Sequence, residues 1–235
     1  YNLAGTLQDM SEFEDSIENY IKSLEIDPSF AEAHNNLGNV YRELGALEEA
    51  VTSYQKAIVI NKNYVEAIFS LGIVLQSLNS SDAIDCFKKA IKIKPDFAEA
   101  HNNLGIAYKN RGQTEDAIRS YKKALDINSN YLEAHNNLGN AYRNLGQLEE
   151  ASLSYRNAIA IKQDYPTTHN NLGNVLKDLG RLEEAIESYK RAIEINPDFA
   201  ETYSNLGGAL NLLEKLDESA KSYEKAIDLD PTDID

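Results

Sequence analysis

Two residue types in this 235-residue chain recur at a spacing that suits chemistry, histidine and asparagine. Histidine moves protons and ligates metals near neutral pH. His34, His101, His135 and His169, however, each stand at the fourth place of separate copies of one segment, with Ile68 and Tyr203 in other copies. Side chains held one copy apart cannot converge on one ion, and no Cys, Asp or Glu flanks them at ligand spacing along a helix. Histidine here reads as a structural register. The carboxylate pairs Glu48–Glu49, Glu149–Glu150 and Glu183–Glu184 fall where a helix begins, and negative charge there suits the helix dipole without any acid–base role. Cys86 is the single cysteine, set in an apolar helical run, and reads as a small core residue. Gly207–Gly208 follows no strand, so it is no phosphate loop, and nothing pairs a nucleophile with a base and an oxyanion hole. This excludes catalysis, and no cofactor or metal is expected. The asparagines suit recognition instead: a carboxamide donates and accepts, and so can hold the N–H and C=O of an extended peptide whatever its side chains.

The interval that returns these residues is the architecture. Ala31–Gly38 aligns with Ala98–Gly105, Leu132–Gly139, Pro166–Gly173 and Ala200–Gly207 at steps of 34 residues, except that Gly72 to Gly105 is 33. The missing residue falls in Leu78–Asp82, where the neighbours carry a turn such as Leu44–Glu49. Whole repeats occupy 31–64, 65–97, 98–131, 132–165, 166–199 and 200–233, and 1–30 fit a seventh lacking its first four positions. The expectation is one repeat domain over 1–235.

Within a repeat, Ala33, Leu37, Val40, Tyr41 and Leu44 make one helical stripe, and Leu47, Ala50, Val51, Tyr54, Ala57 and Ile58 a second. Gly45 can turn with positive φ between them, while Pro28, Pro95, Pro197 and Pro231 punctuate the ends of second helices. Each repeat is therefore helix, turn, helix. Glycine inside a helix costs about 1 kcal/mol against alanine. Gly38, Gly72, Gly105, Gly139, Gly173 and Gly207 at one register thus predict close backbone approach, with Tyr54, Tyr121, Tyr155, Tyr189 and Tyr223 filling the space beside them.

Leu-Gly-x-x-Tyr, then Ala, Tyr, Ala and Pro at fixed offsets, resembles the tetratricopeptide repeat family over essentially the whole chain. Departures are Leu75, Leu176 and Leu210 for Tyr, Ser219 for Ala, Lys62, Ser129 and Gln163 for Pro, and the shortened repeat. The resemblance implies an all-α, right-handed superhelical solenoid of antiparallel helix pairs, whose first helices line a concave face. On that implication the inward residues include the sixth positions Asn2, Asn36, Ser70, Asn103, Asn137, Asn171 and Asn205. Beside them stand Asn35, Asn102, Asn136 and Asn170, with Asn39, Asn140 and Asn174 one turn further on. Such a ladder is similar to that in the tetratricopeptide domain of the O-linked N-acetylglucosamine transferases, where it grips peptide backbone. The expected function is a scaffold that binds a protein or extended peptide. The alternatives are that the asparagines bond neighbouring helices, or are copies left by repeat duplication.

Arg42, Lys109, Arg143 and Lys177 form a basic column suited to a carboxylate side chain, or else pair with neighbouring acids. Glu32, Glu66, Glu99, Glu133 and Glu201 occupy inner places where a clamp for acidic tails would need cations. Phe69, Ile73 and Ile106 interrupt the polar lining and suggest a seat for one apolar anchor, or simple divergence of an irregular repeat.

A formal charge of −15 disfavours nucleic acid and anionic lipid. No apolar run suits a bilayer, and no leader-like segment opens the chain, so a cytoplasmic setting is expected. The sequence starts within a helix and stops without a polar capping helix. This suggests one region of a longer chain, for example the substrate-recruiting part of a glycosyltransferase. It also suggests open ends that stack head to tail through Leu216, Ala220 and Tyr223.

Overall fold

A computed structural model describes residues 13–230. Among them are thirteen α-helices and no strand. In chain order these are α1 (Phe13–Ile26), α2 (Ala31–Glu43), α3 (Leu47–Ile60), α4 (Val65–Ser77), α5 (Asp82–Ile93), α6 (Ala98–Asn110) and α7 (Thr114–Ile127). They continue with α8 (Leu132–Asn144), α9 (Leu148–Ile161), α10 (Pro166–Asp178), α11 (Leu182–Ile195), α12 (Ala200–Leu212) and α13 (Leu216–Leu229). The chain divides into two compact units after Gly112, inside the repeat 98–131 and between its two helices. Within each unit every helix packs on its chain neighbour, and first helices also touch the first helix of the next repeat.

In the first unit, Tyr20 of α1 packs with Ala33, Leu37 and Val40 of α2. Ala50, Tyr54 and Ala57 of α3 close over Ala67, Leu71 and Val74 of α4, and Ala83 and Phe87 of α5 over Leu104 and Ala107 of α6. The register glycines explain how the backbones come so close. A Cβ on Gly38 would lie 2.8 Å from the Tyr54 ring, and one on Gly72 would lie 2.7 Å from Phe87. In the second unit the same test puts Gly139 at 2.7 Å from Tyr155 and Gly173 at 2.5 Å from Tyr189. Those aromatic rings are fully buried. Burial of one such side chain is worth about 2–3 kcal/mol, more than the helix loses by carrying the glycine.

The turns also follow from chemistry. Gly45 has φ +74°; its N–H bonds the Arg42 carbonyl at 3.0 Å, and the Ala46 N–H reaches back to Tyr41 at 2.8 Å. This paired closure uses a left-handed residue that only glycine takes up without strain. Asn79 and Glu214 hold the same place with φ +55° and +59°, and the same two bonds form around each of them.

Candidate functional site

The histidines settle into the loops. His34 Nε2 lies 3.1 Å from the Pro28 carbonyl, His101 Nε2 3.1 Å from Pro95, His135 Nε2 3.0 Å from Ser129 and His169 Nε2 2.8 Å from Gln163. A carbonyl only accepts, so in each case Nε2 carries the proton and pins the loop six residues earlier. Desolvation, ahead of the opposing effect of the Pro28 bond, holds the His34 ring below the ordinary histidine range. Among the described residues no three His, Cys, Asp or Glu side chains gather as metal ligands. Burial pushes the Cys86 thiol up to about 11, so it stays protonated and unreactive near neutral pH.

The three asparagine columns differ in what they touch. The fifth positions are the most enclosed: Asn35 is 6% exposed, Asn102 4% and Asn170 1%. In the second unit they lie where neighbouring first helices meet. Thr168 donates to Asn136 Oδ1 at 2.8 Å, while Asn170 donates to Glu201 at 3.1 Å and accepts from Asn205 at 3.1 Å. Asn35 donates to Asn36 at 3.2 Å.

The ninth positions are tied to the second helix of their own repeat. Tyr54 donates to Asn39 at 2.8 Å, Tyr155 to Asn140 at 2.7 Å and Tyr189 to Asn174 at 2.8 Å. A tyrosine ring buried for its bulk must still satisfy its hydroxyl, and the ninth-position carboxamide does this. In the shortened repeat Phe87 replaces the tyrosine and Ile73 the asparagine, so donor and acceptor are lost together. Tyr121, whose repeat carries Ile106, keeps a buried hydroxyl with no partner among the described residues.

The sixth positions Asn36, Ser70, Asn103, Asn137, Asn171 and Asn205 are all half-buried, and Asn2 lies outside the described residues. Asn103 donates to the Glu99 carbonyl of its own helix at 2.8 Å. Asn171 stands apart: its carboxamide takes up no hydrogen bond among the described residues. Beyond it on α10, Lys177 is half-buried. Arg42 pairs with Glu43 at 3.0 Å and Arg143 approaches Asp178 at 3.8 Å, while Lys109 is exposed. Phe69 lies between two rings, 5.8 Å from Phe87 and 4.7 Å from Phe97 by centroid, with Ile73 packed against the same core. Ile106 is half-buried.

Sequence reasoning overlooked two grooves. In the first unit a groove of about 640 Å³ runs between α1 and α3, floored by His34, Leu37 and Tyr41 of α2. In the second, one of about 830 Å³ runs between α9 and α11 over His169, Leu172 and Leu176 of α10. The floor uses the fourth, seventh and eleventh positions both times, and the Arg156–Glu184 ion pair, 2.9 Å, crosses the second groove. The available signal was apolar residues on second helices, Ile21 and Leu24 of α1 in the first groove and Ile159 of α9 opposite Ile186 of α11 in the second.

No curated protein matches the chain. Among solved structures, MamA is similar at 30% identity and TM-score 0.66, over 68% of this chain and 95% of that one. YrrB, described as a TPR protein with an unusual peptide-binding site, is 24% identical with TM-score 0.66, over 79% of this chain and 96% of that one. The pilF protein of Pseudomonas aeruginosa is 19% identical with TM-score 0.74, over 88% and 94%; at these last two identities the likeness is one of fold. The TPR repeat model matches residues 8–45, 38–79, 81–112, 107–146, 139–180 and 173–213, and the tetratricopeptide repeat model matches 200–233. With glycine–aromatic hairpins recurring through those same residues, the chain belongs to the tetratricopeptide repeat family.

Proposed function

We propose that this protein-interaction scaffold holds an extended peptide on its first helices through the sixth-position carboxamides, and that it carries out no catalysis of its own. The observation behind this reading is Asn171, which keeps both ends of its amide unengaged on a half-buried helix face. An amide so placed loses little by exchanging water for a peptide N–H or C=O, and gains a grip that does not depend on sequence. The fifth and ninth columns serve it from beneath. They fix first helices to each other and to the tyrosines, so the half-buried sixth-position amides are pre-ordered before a partner arrives. Recruitment of substrate to a linked enzyme is one use such a grip would serve.

The test is a peptide array probed with the purified chain and with Asn137→Ala/Asn171→Ala, with helicity followed by circular dichroism. Loss of peptide binding with helicity intact supports the reading; binding unchanged in the double variant removes it. The two grooves between second helices favour a second reading, in which they take the peptide. Ile159→Glu in the α9–α11 groove would then abolish binding that Asn137→Ala/Asn171→Ala leaves intact. Head-to-tail association through Leu216, Ala220 and Tyr223, all exposed on α13, predicts a mass that rises with concentration in light scattering.

A further inference from the structure

The two grooves between second helices are built from the same repeat positions. The α9 wall of the second presents Arg156, Ile159, Ala160 and Gln163, and at the corresponding places the α1 wall of the first presents Ile21, Leu24, Glu25 and Pro28. The facing walls carry Glu183 and Glu184 in α11, and Glu48 and Glu49 in α3. In the second groove the chain supplies its own cations: Arg156 reaches across to Glu184 at 2.9 Å, and Arg181 holds the same carboxylate at 2.7 Å.

The first groove has lost both. Ile21 stands in the place of Arg156 and Ala46 in the place of Arg181, while Glu49 is kept. No Lys or Arg among the described residues forms an ion pair with Glu48 or Glu49. Lys56 is the one basic residue of the lining, against Glu25, Glu48 and Glu49. Ile21 is 42% exposed on its wall, and Leu24, Leu37 and Tyr41 extend the apolar surface beside it. The result is an apolar trough with an acidic rim, where the second groove has a bridge of opposite charges.

We propose that the α1–α3 groove docks a basic amphipathic segment of a partner protein. Its apolar side chains lie on Leu24, Leu37 and Tyr41, and its arginine or lysine takes beside Glu49 the place that Arg156 takes beside Glu184. A few buried apolar anchors supply most of the affinity, and complementary charge sets which segment is accepted. The chain's own residues outside 13–230 contain no Lys or Arg, and a formal charge of −15 opposes docking of a second copy. The proposal rests on the reading in which grooves between second helices take peptide, and is separate from the asparagine face.

The experiment measures binding of the full chain to three short labelled peptides by fluorescence anisotropy, with two-dimensional amide NMR to locate them. One peptide places leucine and arginine at helical spacing, the second has glutamate for each arginine, and the third has serine for each leucine. The leucine–arginine peptide should bind saturably, with shifts confined to residues 21–28, 34–41 and 48–56, and the other two at least about tenfold more weakly. Ile21→Arg installs the cation of the second groove at an exposed position, so it should abolish binding with helicity by circular dichroism unchanged. Glu48→Gln/Glu49→Gln should weaken binding about tenfold, the product of two ion pairs of surface strength. Glu183→Gln/Glu184→Gln, which removes the same charge from the other groove, should leave it unchanged. An equal response to the two double variants reports net charge alone and overturns the proposal, as do the absence of saturable binding and binding that survives Ile21→Arg. Equal binding of the glutamate peptide with the same shifts also overturns it, while leaving the groove as a peptide site. Shifts on α10 that vanish in Asn137→Ala/Asn171→Ala overturn both and put the peptide on the asparagine face.

Discussion

At the scale of single residues, the ninth-position asparagines show how one side chain serves packing before it serves recognition. Tyr155 is buried and its hydroxyl donates to Asn140 at 2.7 Å, and burial pushes its phenol up to about 12. Tyr121 is equally buried and its hydroxyl has no partner among the described residues. Removing the hydroxyl should therefore have opposite consequences. Tyr155→Phe loses a bond worth about 1 kcal/mol and is destabilised by that amount, whereas Tyr121→Phe sheds an unsatisfied group and is neutral or stabilised, as urea unfolding of the two variants will show. Cys86 gives a pH signature by the same logic. Its folded pKa, raised chiefly by desolvation, lies near 11 against an ordinary value of 9.0. The unfolded chain releases the proton first, so the thiol's contribution is complete below pH 9 and is lost as pH rises towards about 11. Alkylation by iodoacetamide at pH 8 should be slow in the folded chain and fast in urea, and Cys86→Ala should flatten the alkaline limb of stability.

At the scale of helices and turns, glycine has two separable roles. The register glycine of α10 makes room for a ring: a Cβ on Gly173 would meet Tyr189 at 2.5 Å. Gly208 of α12, one residue past the register glycine Gly207, has only the Tyr223 hydroxyl at 3.5 Å, an ordinary contact. Gly173→Ala should cost about 1–3 kcal/mol through overpacking, while Gly208→Ala should add about 1 kcal/mol through helix propensity, both read from thermal or urea unfolding. Glu214 occupies a left-handed turn position that glycine fills at Gly146 and Gly180, so Glu214→Gly should raise stability by about 1 kcal/mol in the same assays. The helices, the turn glycines and the glycine–tyrosine approach were legible in the sequence because each follows from local spacing within one repeat. The roll of each first helix against the next was not. Period alone places Asn170 on the same broad face as Asn171; contact of α10 with Glu201 and Asn205 of α12 encloses the former, while the latter stays half-open. The histidine bonds were hidden for a related reason, since each partner is a backbone carbonyl in the preceding loop, and sequence does not mark carbonyls.

At the scale of the molecule, stability follows chain order. Within each unit a helix touches the helices next to it, and a first helix touches the first helix of the next repeat, so no central core spreads a local loss over many elements. Energies in such a chain are sums of repeat terms and nearest-neighbour interface terms, and a lesion should decay with distance along the sequence. Gly38→Ala forces the Tyr54 ring, 2.8 Å from the new Cβ, out of the α2–α3 hairpin and away from Ala67 and Leu71 of α4. Hydrogen exchange followed by mass spectrometry should then show faster exchange over α1 to α4, with protection of α10 to α13 unchanged within error. A uniform loss of protection across all thirteen helices would instead mean that the chain folds as one cooperative body. In that case amides on distant repeats would be ordered together. Under nearest-neighbour behaviour, a peptide that grips Asn137 and Asn171 stabilises the second unit and need not stabilise the first, so the same exchange experiment repeated with bound peptide measures how far the grip extends.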